Sequence, residues 1–293
     1  MMKTVALPTG EVVPALGLGT WQMGEADSAR KAEISAIRFA IDCGYRLFDT
    51  AEMYGEGGAE TVLGKALADA MRANAVKRED VIVVSKVSPH HADRQGVVAA
   101  CERSKKHLGL DSIDIYLLHW RGSVPLAETV DAFEGLKANG AIRRWGVSNF
   151  DIDDLRELEA IDTPRLLAKS GKPQCATNQV YYALDERGPE FSLFSYQRTL
   201  HMPTMAYCPL GRGALAKNKT LARLAEARGV TAAQLALAWI VRHPDVIAIP
   251  KAVDHAHLSE NIAAVDITLT EPDLAAIDAA FAPPSRKTAL AMV

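Results

Sequence analysis

Short apolar runs alternate with longer stretches of helical spacing from residue 15 almost to the C-terminus. The runs at 15–18, 47–49, 81–86, 113–118, 144–147, 176–180, 204–206 and 246–249 are often β-branched and continuous rather than alternating. That is the pattern of parallel strands buried on both faces. Between them, Ile34, Ile37, Phe39, Ala40 and Ile41 mark a helix that ends at Cys43-Gly44. Val62, Leu63, Ala66 and Leu67 mark a second after the turn Gly57-Gly58, and Val97, Val98, Cys101 and Leu108 a third closed by Gly109. Glycine suits the position past a helix end because left-handed backbone costs it no Cβ clash. A further helix runs from Pro125 to Asn139-Gly140, with proline near its start and glycine past its end. Thr231 is placed to cap the helix carrying Leu235, Leu237, Ala238 and Ile240.

Eight strand–helix units with no break in composition predict an α/β fold, a closed (β/α)8 (TIM) barrel forming one domain over residues 1–293. A doubly wound sheet of the Rossmann type is the competing arrangement, and periodicity alone does not separate the two. Val5 and Val12-Val13 flank Pro8-Thr9-Gly10-Glu11, which predicts a short N-terminal hairpin under the barrel. A C-terminal extra helix at 271–281 precedes a tail at 283–293 that either crosses the barrel mouth or frays. The stretch from Thr163 to Lys172 falls between a helix and a strand on the bottom face, where Arg165, Lys169 and Lys172 are expected to be solvated.

With 48% hydrophobic and 24% charged residues and a formal net charge of −3, the 293-residue chain carries no excess of either sign to suit nucleic acid or a membrane surface. The N-terminus from Met1 to Pro8 lacks the apolar core of a secretory signal. The apolar stretch around Leu235 to Val241 falls far short of the roughly 20 residues that span a bilayer. Cys43, Cys101, Cys175 and Cys208 make no C-x-x-C pair and lie in or beside apolar segments, so buried free thiols in the cytoplasm are expected.

In a barrel, reactive groups stand at the C-terminal ends of strands and in the loops that follow. The second run ends in Asp49 with Tyr54 in its loop, the third in Lys86 and the fourth at His119. Singly, each has an ordinary structural explanation; together they make a proton-transfer set. Carbonyl reduction needs a hydride and a proton, and a phenol with an unperturbed pKa of about 10 is a weak donor. A lysine cation beside it favours the phenolate and eases proton release. A carboxylate holds the lysine charged, and an imidazole can orient the substrate oxygen.

Gly44-Tyr45-Arg46-Leu47-Phe48-Asp49-Thr50-Ala51, Tyr54, Glu60-Thr61-Val62-Leu63-Gly64, Val84-Ser85-Lys86 and Leu117-Leu118-His119-Trp120 occur in that order. They resemble the signatures of the aldo-keto reductase family from about Leu16 to Asn261. The resemblance implies a catalytic tetrad of Asp49, Tyr54, Lys86 and His119. It also implies a nicotinamide cofactor. Ser148 and Asn149 of Gly146-Val147-Ser148-Asn149-Phe150, with Gln179, would hold the carboxamide. Tyr207 would stack on the nicotinamide ring, while Pro209, Leu210 and Arg212 follow the pyrophosphate. Lys251, His257, Glu260 and Asn261 match the family's adenosine-phosphate element. Ala252 and His257 replace the serine and arginine usual there. NADPH is therefore expected to be preferred over NADH by a smaller margin than arginine would give, since histidine has neither a permanent charge nor a fork.

Gly55-Glu56-Gly57-Gly58-Ala59-Glu60 reads as a turn rather than a dinucleotide fingerprint. His90-His91 and His255-x-His257 lack metal-ligand spacing, so no metal is assigned. Trp21, Met23 and Trp120 are expected to wall a mostly aromatic substrate pocket, though Trp21 and Trp120 taken singly suit rim packing equally, and Arg121 is either the nearby cation for a carboxylated substrate or simply solvated. The motif set and the Lys-Thr-Ala-Leu-x-Met-Val ending are similar to bacterial reductases of methylglyoxal and other 2-oxoaldehydes. The expected partner is a small-molecule carbonyl, with no nucleic acid and no membrane, and the chain a monomer or weak oligomer. The alternative reading is a nicotinamide-binding regulatory subunit that senses redox state with little turnover.

Overall fold

The computed structural model describes residues 3–169 and 174–293, the side chains of 162–169 excepted. Strands β1 (Thr4–Ala6) and β2 (Val12–Pro14) pair antiparallel around the Pro8–Gly10 turn. Eight parallel strands follow in chain order: β3 (Leu18–Gly19), β4 (Leu47–Asp49), β5 (Ile82–Val87), β6 (Ile113–Leu118), β7 (Ile142–Ser148), β8 (Cys175–Tyr181), β9 (Thr204–Tyr207) and β10 (Val246–Ala248). The first and last are joined by a parallel bridge between Leu16 and Ala248, with Gly17 N–H donating to Ala248 O at 2.9 Å and Gly19 N–H to Pro250 O at 3.0 Å. The sheet is a closed TIM barrel, not a doubly wound layer.

Helices cover the outside: α1 (Asp27–Asp42), α2 (Gly58–Arg72), α3 (Arg94–Leu108), α4 (Leu126–Ala138), α5 (Ile152–Lys169), α6 (Leu193–Thr199), α7 (Lys219–Glu226), α8 (Ala232–Ile240), α9 (His255–Ala263) and α10 (Glu271–Ala280). Gly44, Gly109 and Gly140 take the expected left-handed conformation after α1, α3 and α4, with φ of 101°, 62° and 79°. Thr231 and Gln234 form a reciprocal capping box on α8. Pro125 stands one residue before α4 rather than inside it, and Val98 faces solvent despite its apolar side chain. Helix α5 extends to Lys169, so most of the stretch assigned to a connection is helical. The side chains of Arg165 and Lys169, and Lys172 altogether, lie outside the described residues. No helix among the described residues is long and apolar enough to cross a membrane.

Two apolar layers result from the alternation of side chains along each strand. Inward residues such as Leu47, Val84, Ile115, Leu117, Met205 and Ile247 fill the lumen, and Val5, Leu7 and Val13 of the hairpin pack into the same cluster. Arg144 pairs with Glu11, fastening the hairpin to β7. Outward residues such as Phe48, Val83, Tyr116, Trp145 and Val180 pack beneath the helices. The first strand is shorter than the 15–18 expectation, and Gly17 lies so close to β4 that a Cβ there would be 2.3 Å from Leu47 Cδ2. In the β7–β8 ladder, Trp145 pairs with Cys175 but Val147 with Asn178, which puts one extra residue in β8. Such a bulge changes the side-chain parity. Consequently Ala176 belongs to the lumen cluster and Gln179 reaches inward to Asp49.

Candidate active site

The inward positions that hold the apolar lumen at the bottom continue upward into polar groups at the top. Leu47 is followed two residues on by Asp49, Val84 by Lys86, Leu117 by His119, and Met205 by Tyr207. With Ser148 and Gln179 these residues meet at the C-terminal mouth, as barrel geometry dictates. A cavity of about 840 Å³ opens there. Asp49, Tyr54, His119, Ser148, Asn149, Gln179, Tyr207, Pro209, Leu210, Arg212 and Lys251 all line it, together with Trp21 and Trp120.

Lys86 and Asp49 are buried to 0% and 4% side-chain exposure, and Lys86 Nζ donates to Asp49 Oδ2 at 2.8 Å. The same ammonium donates to Thr50 O at 2.7 Å and to the Tyr54 hydroxyl oxygen at 3.3 Å. Its three hydrogens thus have three acceptors. Asp49 Oδ1 accepts from Gln179 Nε2 at 2.7 Å, so both carboxylate oxygens are engaged. Because the phenolic oxygen accepts from Lys86, its own proton is directed elsewhere, and the wall it belongs to faces the cavity. His119 packs edge-on against Tyr54 with ring centroids 5.8 Å apart. Its Nδ1 is buried with no partner among the described residues.

Burial is the largest influence on all four groups. It pushes the Lys86 ammonium down and the Asp49 carboxyl up, and each is opposed by the charge of the other. The Tyr54 phenol is pushed well above its ordinary value by burial, then by the Asp49 charge. At neutral pH the phenol is therefore protonated, and the Lys86 ammonium bonded to its oxygen favours the phenolate formed when the proton leaves, against the larger effect of burial. His119 is held well below its ordinary value by burial and by Lys86, which keeps it neutral.

The loop around Asn149 is strained in a way that serves the mouth. Of the seven non-glycine residues at positive φ among the described residues, Gln22, Glu56, Asn149, Cys208 and Arg212 lie in loops around it. Asn149, at φ 60°, donates through Nδ2 to His119 O at 3.0 Å and accepts the Tyr207 hydroxyl at 3.0 Å. Ser148 donates to Gln179 O at 2.8 Å. Tyr207 stacks on Tyr181 with centroids 5.6 Å apart. The turn after β4 packs as tightly: a Cβ on Gly24 would lie 2.1 Å from Gly58 C, and one on Gly57 would lie 2.3 Å from the His107 ring.

The structure departs from the sequence reading at Met23 and Arg121. Met23 does not line the cavity; it is fully buried in the core, because Met23 N–H bonds back to Thr20 O and turns the chain inward after Trp21. Arg121 is committed to Glu157 at 3.0 Å and to the carbonyls of Gly122 and Val124, so it braces its own loop. The cations on the cavity wall are instead Arg212, 5.9 Å from the Trp21 ring centroid, and Lys251. His257, Glu260 and Asn261 lie on α9, outside the cavity wall that ends at Lys251. His257 is exposed and Asn261 is buried. Cys43 and Cys208 are only half-buried, and none of the four cysteines is in a disulfide. His91 contacts Glu52 at 2.9 Å and His255 stacks on Phe39.

The tail crosses the mouth. Met292 and Val293 line the cavity, Ala291 O lies 3.4 Å from the Tyr207 hydroxyl, and Lys287 pairs with Asp151 at 3.0 Å. Sequence reasoning missed Met53, Gln22 and the Thr50 carbonyl. A backbone acceptor leaves no mark in a sequence, and the apolar end Leu290-Ala291-Met292-Val293 does not by itself tell a strap from a free end.

A closed parallel barrel with an acid, amine, phenol and imidazole at one mouth defines a (β/α)8-barrel oxidoreductase. The chain belongs to the aldo/keto reductase family, whose family model matches residues 15–282. It is 46% identical over 291 residues to methylglyoxal reductase YeaE of Escherichia coli K12, covering 97% of each chain. It is 31% identical over 279 residues to a glyoxal reductase of Bacillus subtilis, covering 95% of this chain and 93% of the other. Among solved structures, an aldo-keto reductase from Klebsiella pneumoniae in complex with NADPH superposes with a TM-score of 0.89, at 46% identity and 100% coverage of both chains.

Proposed function

We propose that this chain reduces small aldehydes to alcohols with NADPH, with 2-oxoaldehydes such as methylglyoxal foremost and aromatic aldehydes also accepted. The observation that carries the reading is the continuous hydrogen-bonded line from Asp49 through Lys86 to Tyr54, ending in a cavity beside a neutral His119. The likeness to enzymes named for methylglyoxal and glyoxal supports the substrate class.

The donor set suits a nicotinamide nucleotide. Ser148, Asn149 and Gln179 offer hydroxyl and amide groups to a carboxamide, and Tyr207 offers a ring face beside them. Pro209, Leu210 and Arg212 lie along the same wall toward Lys251, with the guanidinium suited to a pyrophosphate. Lys251, His257, Glu260 and Asn261 would hold the adenosine phosphate. When bound, the cofactor supplies the hydride.

The chain's own residues supply the proton and the geometry. Tyr54 gives its phenolic proton to the carbonyl oxygen as that oxygen gains electron density. The Lys86 ammonium, already bonded to the phenolic oxygen, stabilises the phenolate left behind. Asp49 keeps that ammonium charged in a dry setting. His119, neutral and packed against Tyr54 and Trp120, orients and polarises the substrate oxygen without competing as an acid. Trp21 and Trp120 enclose the aldehyde. None of the four cysteines is in a disulfide, which suits action in the reducing cytoplasm, and the chain acts as a monomer or weak oligomer.

The test follows loss of reduced nicotinamide absorbance with methylglyoxal and an aromatic aldehyde, using NADPH and NADH in parallel. Turnover with NADPH at the higher kcat/KM is expected. Tight NADPH binding with negligible turnover on either aldehyde would instead point to a redox-sensing role, and equal or better turnover with NADH would overturn the cofactor assignment.

A further inference from the structure

Of the buried acids that take no part in the steps above, Glu60 stands nearest in sequence to the Tyr54 turn. Glu60, in the first turn of α2, is fully buried. Its Oε1 accepts the Ser85 hydroxyl at 2.6 Å, and its Oε2 lies 3.3 Å from His107 Nδ1 on α3. Ser85 immediately precedes Lys86 on β5, so the two side chains leave opposite faces of one strand. Lys86 enters the lumen, and Ser85 points out to the helix that carries Glu60. An unpaired buried carboxylate is costly, and an apolar residue of similar volume would pack this interface without that cost.

We propose that Glu60 is a positioning residue for proton transfer. From behind the barrel wall its carboxylate joins Asp49 in keeping Lys86 protonated, and through Ser85 it fixes the strand from which Lys86 reaches Tyr54. The inference rests on the reading of Lys86 as the ammonium partner of Tyr54. Burial works against that ammonium; Asp49 opposes burial first and Glu60 after it. The groups facing Glu60 are His107 and Cys101 from α3, Tyr116 from β6 and Lys86 from β5. Burial pushes the Cys101 thiol up to about 12 and the Tyr116 phenol well above its ordinary value, so neither changes charge in the working range. On the α1 side, the buried Glu33 is engaged by Gly24 N–H at 2.9 Å. His107, the partly exposed partner, packs against Gly57 in the turn that carries Tyr54.

Glu60→Gln keeps the shape and an acceptor for Ser85 while removing the charge. In apo-protein labelled with ¹⁵N-lysine, the Lys86 signal, assigned by its absence from Lys86→Met, is expected to titrate about one pH unit lower in Glu60→Gln. The alkaline limb of kcat for methylglyoxal reduction moves with it, while KM and Tm stay near wild type. Ser85→Ala, which keeps the charge, lowers kcat without moving the limb. A folded Glu60→Gln protein whose Lys86 titrates as in wild type overturns the proposal. Should that variant not fold, His107→Lys sets a permanent positive charge against Glu60. Lys86 then titrates lower than in His107→Gln, and equal titration overturns the proposal. A wild-type protein without turnover would sink the functional reading, and the lysine titration would still decide the role of Glu60.

Discussion

The ammonium of Lys86 has no exposure to solvent and three acceptors within 3.3 Å, so its charge and its position are one property. Lys86→Met leaves the Asp49 carboxylate buried without its cation. Urea unfolding should show a loss of about 3–5 kcal/mol, with part of it recovered when Asp49→Asn is added. His243 makes a pH prediction of known sign. Burial, then Arg242, moves it down to about 4, below its unfolded value of about 6.5. Between those values the unfolded chain binds more protons, so stability is full above the window and is lost as pH falls through it. Melting curves from pH 7 to 4.5 should fall less steeply for His243→Phe than for wild type. At the cofactor end, His257→Arg should raise the NADPH-over-NADH ratio of kcat/KM, and an unchanged ratio would remove His257 from the phosphate site. Asp49, Lys86 and His119 were legible in the sequence because each extends the inward parity of an apolar strand. Parity alone misplaces Gln179, since one unpaired residue in β8 reverses it. Met23 was misread because a hydrophobic residue after a strand looks the same whether the chain turns toward the mouth or into the core.

At the scale of elements, the turn between β4 and α2 sets where Tyr54 stands. Gly57 holds φ of 87° with its Cα against the His107 ring. Gly57→Ala forces a strained backbone and a clash, and should cost about 1–3 kcal/mol. Its kcat should fall more than its KM changes, because the turn displaces the phenol rather than the cavity wall. Thr231→Ala, which opens the capping box of α8 far from the mouth, should cost about 1 kcal/mol and leave kcat alone. Strand positions were legible because a parallel barrel needs short runs apolar on both faces. Helix ends were legible where glycine must take positive φ. The end of α5 was not, since Pro164, a residue that ordinarily ends or kinks a helix, lies inside it.

At the scale of the molecule, the closed barrel puts every inward strand end at one mouth, which is why residues as far apart in sequence as Asp49 and Gln179 share a hydrogen bond. Closure itself was implied only by the count of strand–helix units. It depends on Gly17 allowing β3 to approach Leu47 and bridge to β10. The fate of the tail was not legible, because an apolar terminus suits both a free end and a strap. Removing residues 290–293 should leave the melting temperature within a few degrees and change KM for aldehydes more than kcat, since the tail walls the cavity without touching Lys86. The measurement closest to the central claim compares wild type with Tyr54→Phe, following NADPH oxidation with methylglyoxal and NADPH binding by fluorescence titration. Binding within about twofold of wild type and a fall in kcat of about 10²–10⁴ is the predicted result. A Tyr54→Phe protein that folds, binds NADPH and turns over near the wild-type rate would contradict the account.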